Sequence, residues 1–235
     1  MQTEYTLRSL PPPSSLTRQA YELIKEAIVT WKLRPGDVLV ERQLAERLGI
    51  SKTPVRDALL MLEQEGFVVK EPYRGTTVAP ISLKDANEIR QLRETLEGLA
   101  VRIAAPLFSP ADLKEARAHI SSAETALEQG DATLAAEMVE KFHQLLVQKA
   151  GNKRLTQFIQ QLDEHSQRLN MVLRQIPGRA RRSIEEHKRI LAAIEENNPA
   201  LAVRAVQEHI RSLFAEVEAS LAEQVDEIES FSQQY

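Results

Sequence analysis

The chain has 235 residues, 43% hydrophobic, 27% charged and 5% aromatic, with 8 glycines and no cysteine. That length suits one large or two ordinary domains. The composition excludes a disulfide-stapled fold and a thiolate metal site, and no apolar run approaches the roughly 18 residues of a membrane span. The formal net charge of −4 conceals a split: residues 14–80 carry 10 Lys/Arg against 9 Asp/Glu, whereas residues 81–235 carry 19 against 24. Attraction to a polyanion therefore needs a local basic face in the first part, and the second part has no such tendency.

Residues 1–13 read as a short disordered arm without a positive-then-apolar signal pattern, so a cytoplasmic protein is expected. From Leu16 the apolar residues Ala20, Leu23, Ile24, Ala27, Ile28 and Trp31 fall on one helical face, with Ser14 or Ser15 as cap. Arg34-Pro35-Gly36-Asp37 is a turn, and Val38–Val40 a short extended run. A short helix over 41–48 stops at Gly49. The next helix is expected to be capped by Thr53, with Pro54 at its first position, and to end at Gly66. Phe67–Val69 and Thr76–Ala79 should pair across a turn containing Tyr73-Arg74-Gly75.

Helix, turn, helix and two-stranded wing is the plan of a winged helix-turn-helix. The second helix opens on Ser51-Lys52-Thr53-Pro54: hydroxyls, a cation and unpaired backbone N–H groups, which suit DNA phosphates and base edges. Arg42 and Arg56 suit base edges or phosphates, Arg74 offers a cation at the wing, and Gly75 lets the backbone approach a groove.

Beyond Pro80 every segment has helical period. Six or seven helices are predicted over about 82–105, 110–129, 131–150, 152–175, 180–197 and 199–229, punctuated by Pro106, Pro110, Gly130, Gly151, Pro177-Gly178 and Pro199. The expected fold is mainly α. A winged helix-turn-helix (14–80) joins through a linker (81–84) to an all-α antiparallel bundle (85–230).

Three histidines lie on apolar stripes of the bundle. His143 sits among Ala135, Met138, Val139, Phe142 and Leu146; His187 among Ile184, Ile190, Leu191 and Ile194; His209 among Ala202, Val206, Leu213 and Phe214. One buried imidazole is usually a hydrogen-bonded core residue. Three on inner faces of one bundle point to a site for zinc, nickel or a similar divalent metal. Arg93, between Ile89 and Leu96, is placed to grip a carboxylate or to pair with Glu97 one turn on. His119 falls off its stripe and reads as surface, and Arg179–Arg182 as a solvated cluster or, alternatively, a contact to the DNA-binding domain or to phosphates.

The first part resembles the GntR family of bacterial transcription factors through Glu41-Arg42, Leu44-Ala45, Gly49-Ile50-Ser51, Lys52-Thr53-Pro54-Val55-Arg56 and Gly66-Phe67-Val68, over about 60 residues. The resemblance implies that Arg42, Ser51, Lys52, Thr53 and Arg56 face double-stranded DNA and that Gly75 is the wing tip. Lys52 stands where arginine is commoner, which keeps a phosphate contact and loses bidentate guanine readout.

The second part resembles the FCD ligand-binding domain of the FadR-like subgroup through Phe142-His143, Gly151-Asn152, Glu186-His187 and Glu208-His209. That resemblance implies a divalent metal on His143, His187 and His209 and matches its Arg-then-Glu pattern to Arg93 and Glu97; Arg93, Glu97, Asn152 and His165 are the candidate effector contacts. The family's fourth ligand, an Asp one turn before the first histidine, is Val139 here. Glu140, His165, water or an effector carboxylate is left to fill that place; the alternative is a metal-free pocket binding an anion directly. The expected protein is a homodimeric repressor-type regulator. It reads a pseudo-palindromic operator, answers to a small organic acid and has no membrane partner. A metalloenzyme with a DNA-binding head is the competing reading, but no His-Glu-x-x-His, Ser/His/Asp set or glycine-rich phosphate loop is present.

Overall fold

The computed structural model describes residues 15–232 of the backbone and 16–222 of the side chains; the expected arm, residues 1–13, lies outside this range. The chain divides into two compact units after Pro80.

In the first unit α1 (Ser15–Val29), α2 (Glu41–Leu48) and α3 (Lys52–Gln64) enclose a core with an antiparallel hairpin, β1 (Val68–Glu71) and β2 (Gly75–Val78). Val38 adds a single bridge to Thr77 beside β2. Ile28, Val55, Leu62, Phe67 and Val78 are wholly buried and hold the helices to the hairpin by apolar burial. The inner face of α1 is narrower than its sequence stripe: Leu16 and Leu23 are exposed, and Tyr21 is buried in their stead. Tyr21 keeps its hydroxyl satisfied by donating to Glu65 at 2.6 Å.

The start of α3 differs from expectation. Ser51, in extended conformation, is the N-cap residue, and Lys52 is the first helical residue. Pro54 therefore stands third, where its missing N–H is still one of the helix's unpaired donors and loses nothing. Gly75 has φ +83°, a conformation costly for any residue with a Cβ, and this sets the hairpin's bend.

The second unit is a bundle of α4 (Leu83–Ala104), α5 (Pro110–Glu128), α6 (Ala132–Lys149), α7 (Lys153–Leu173), α8 (Arg179–Glu195) and α9 (Pro199–Ser232), with a 3₁₀ turn at Ala105–Leu107. Two of the four residues expected to be linker, Leu83 and Lys84, already belong to α4. The helix starts are written locally. Ser82 accepts from Asp85 N–H, Ser109 and Asp112 form a reciprocal capping box, and Asp131 accepts from Leu134 N–H. α4 and α8 pack along α9, and α5 along α6. The shared core runs through Val101, Phe142, Ile190, Ile210 and Phe214, so the inner faces of α6, α8 and α9 meet.

Candidate functional site

Two sites emerge, one in each unit. On the first, Ser51, Lys52, Thr53 and Arg56 are exposed at the opening of α3, while Pro54, Val55, Ala58 and Leu59 turn inward. Ser51 is exposed and its hydroxyl makes no capping bond to the first turn. Arg42, on α2, is exposed and only loosely tied to Glu46, at 3.8 Å. Arg74, at the wing, is exposed and donates to Glu71 at 3.0 Å across the hairpin turn. Tyr73, beside it, is fully exposed and was not singled out from sequence.

In the bundle, the helical periods of α6, α8 and α9 bring His143, His187 and His209 together, one ligand atom from each lying within 4.8 Å of the others. Nε2 of His187 is 2.7 Å from Nε2 of His143. Nδ1 of His187 donates to the Ser183 carbonyl at 2.5 Å, and Nδ1 of His209 donates to Glu186 at 2.7 Å. Each of these bonds fixes the proton on Nδ1 and leaves Nε2 as a lone-pair donor, the tautomer a metal-binding imidazole requires. Burial lowers all three pKa values: His143 and His209 to about 3, and His187 well below its usual value. Neutral imidazoles are the ligating form. Nδ1 of His143 faces Glu97 at 3.9 Å, an acceptor for its proton when Nε2 is engaged elsewhere.

Three neutral, convergent nitrogens fit a divalent ion. Val139 lines the same cavity where the family's carboxylate would stand, and Glu140 lines it too, its carboxylate accepting from Gln144. The cavity is about 620 Å³ and contains all three histidines and Arg93. Arg93 and Glu97 are ion-paired at 2.5 Å with both side chains almost buried. Burial opposes the Arg93 charge, but Glu97, together with Asp163 and Glu140, more than restores it, and the Arg93 pKa is raised. Arg93 thus pairs on its own helix and reaches the cavity as well.

Two expected effector contacts are elsewhere. Asn152 is exposed and caps α7, accepting from Leu155 N–H at 3.2 Å, so its place next to Gly151 reflects a helix start. His165 is half-buried on α7; neither residue lines this cavity. Arg179 is another difference: instead of being solvated it is 3% exposed, paired with Glu186 and, at 2.8 Å, with Glu216. His119 is half-buried rather than on the surface.

A second cavity of about 330 Å³ adjoins the first along Arg93, Glu140 and His143 and contains Asp163 of α7. Burial first, then repulsion from Glu97, Glu140 and Glu164, raises Asp163 to about 7 against the pull of Arg93. Sequence reasoning missed Asp163, which stands next to Leu162 beside the apolar stripe of α7.

Comparison with known proteins decides the family. Residues 16–78 match the profile described as bacterial regulatory proteins, gntR family, and residues 88–212, more than half of the chain, match the FCD domain. The chain belongs to the GntR family. It is a transcriptional regulator with an FCD domain, not an enzyme. The GntR relatives include the regulator McbR of Escherichia coli, 32% identical over 148 residues, which are 63% of this chain and 67% of that protein. The regulator YdhC of Bacillus subtilis is 28% identical over 156 residues, 66% and 70% of the two chains. The solved structure of E. coli McbR/YncC superposes with a TM-score of 0.70 at 27% identity, covering 88% of this chain and 99% of that one. A GntR regulator from Rhodococcus, at 21% identity and a TM-score of 0.69, shares the fold. No helix of the described residues is long and apolar enough to cross a membrane.

Proposed function

We propose that this GntR regulator binds a pseudo-palindromic operator as a homodimer and is controlled by a small organic acid held in the FCD cavity. Each protomer presents one α3 to the major groove of one half-site. Ser51, Thr53 and the helix start take phosphates; Arg56 and Arg42 take base edges or phosphates, and Gly75 carries the wing tip. Pairing two such modules raises an affinity that one module cannot supply.

The convergence of His143, His187 and His209 in a cavity that also holds Arg93 carries the effector reading. The three imidazoles would hold zinc, nickel or a similar ion, which would supply a Lewis-acid anchor for a carboxylate. Arg93, steadied by Glu97, supplies the complementary hydrogen bonds. Control requires that the acid prefer one arrangement of the dimer, because equal affinity for both shifts no population. Two relatives are named as repressors, one of them as a probable one, which favours repression as the mode of control.

The test is elemental analysis of the purified chain and of His187→Ala, with operator footprinting of both. Stoichiometric metal in the parent, lost in the variant with footprinting retained, supports the assignment. Equal metal content in the two removes it.

A further inference from the structure

The three imidazoles converge without a carboxylate among them. Among the described residues the ligand atoms that meet belong to His143, His187 and His209 alone. Two carboxylates approach the set, both on its Nδ1 side: Glu186 at 2.7 Å from His209 and Glu97 at 3.9 Å from His143. Each already neutralises an arginine, Glu186 that of Arg179 and Glu97 that of Arg93. Val139 stands one helical turn before His143 and lines the same cavity, so the position from which α6 could set a carboxylate beside that imidazole is apolar. Glu140 lines the cavity too, but it is exposed and accepts from Gln144 at 3.1 Å. Asp163 borders the second cavity and not this one.

Burial makes the missing charge matter. His187 and His209 are 1% and 2% exposed, and the imidazoles are neutral. A divalent ion on three neutral ligands keeps its double charge in a poorly hydrated place, where an uncompensated charge is costly. The histidines also line a cavity of about 620 Å³, wide enough to admit an anion from outside the chain.

We infer that metal and effector carboxylate bind this chain cooperatively: the acid supplies, as a ligand to the ion, the negative charge that Val139 does not, and each raises the affinity for the other. This rests on the reading of the three histidines as a metal site. Linkage makes the two gains equal, so metal supply sets the sensitivity to the acid as much as the acid sets the hold on the metal. An acid gripped by Arg93 alone, out of reach of the ion, gives no such gain.

The experiment is zinc titration of the full chain in competition with a chromophoric chelator, with acetate replacing chloride at constant ionic strength. It is run on the parent, Val139→Asp, Val139→Asn and His187→Ala. Acetate should tighten zinc binding to the parent by about tenfold. Val139→Asp, with its own carboxylate, should bind zinc about tenfold more tightly than the parent in chloride and gain about twofold or less from acetate. Val139→Asn, of the same shape without the charge, should keep the parent's response to acetate. Zinc binding that is lost in His187→Ala but indifferent to acetate in the parent overturns this inference and leaves the metal site standing. A folded Val139→Asp that responds to acetate as the parent does overturns it likewise; should that variant not fold, the parent's response decides. Zinc affinity equal in His187→Ala and the parent, or no zinc binding by the parent in either salt, overturns both.

Discussion

Nδ1 of His209 on α9 lies 2.7 Å from Oε2 of Glu186 on α8, next in sequence to His187. One carboxylate thus orients an imidazole on another helix while its neighbour in the chain faces the same centre. Glu186 is in turn held by Arg179, which also donates to Ser212 and Glu216, so the ligand set is tied to the α8 start. Glu186→Gln keeps the shape and weakens the acceptor. Zinc affinity, measured by competition with a chromophoric chelator, should fall by about 10- to 100-fold. Unchanged affinity would show that His209 needs no such support.

The three histidines give the metal-free protein a defined pH response. Their folded pKa values are depressed, to about 3 for His143 and His209, by burial foremost and by neighbouring cationic groups. Unfolded imidazoles titrate near 6.5. Between those values the unfolded chain binds protons that the folded chain refuses, so stability falls as pH drops below about 6.5. Urea midpoints in chelator at pH 7.5, 6 and 5 should decline in that order. A midpoint that rises toward pH 5 contradicts neutral buried imidazoles.

Asp163 acts with the opposite sign. Its folded pKa of about 7 lies above the unfolded value, so its stabilising protonated form is lost as pH rises through 7. Asp163→Asn should leave stability unchanged near pH 4, with a gain that grows through neutrality to the order of 1–3 kcal/mol. Melting temperatures of the pair at pH 4, 6 and 8 read this directly. A constant difference across the series would assign the effect to packing instead.

Arg56 is exposed on the outer face of α3 and has no ion pair among the described residues, so the fold should tolerate its loss. Arg56→Ala should abolish operator footprinting at moderate salt and leave the melting temperature within about 2 °C, as surface changes do. Footprinting retained at the parent's concentration would move the recognition surface elsewhere.

Much of this architecture was legible in the sequence, because helix periods, caps and the α3 motif are local properties of the chain. The apolar stripes around His143, His187 and His209 already placed each imidazole on an inward face. Which inward faces meet is a matter of helix packing. Only the tertiary structure could show that Glu186 serves His209, that Arg179 is buried against two carboxylates, or that Asp163 lies beside Arg93. The same holds for Asn152, whose motif position suggested a ligand contact and whose side chain caps α7 instead. Charge and hydrogen-bonding capacity are written residue by residue, whereas partners distant in sequence are selected by the rotation and spacing of whole helices, which apolar burial sets.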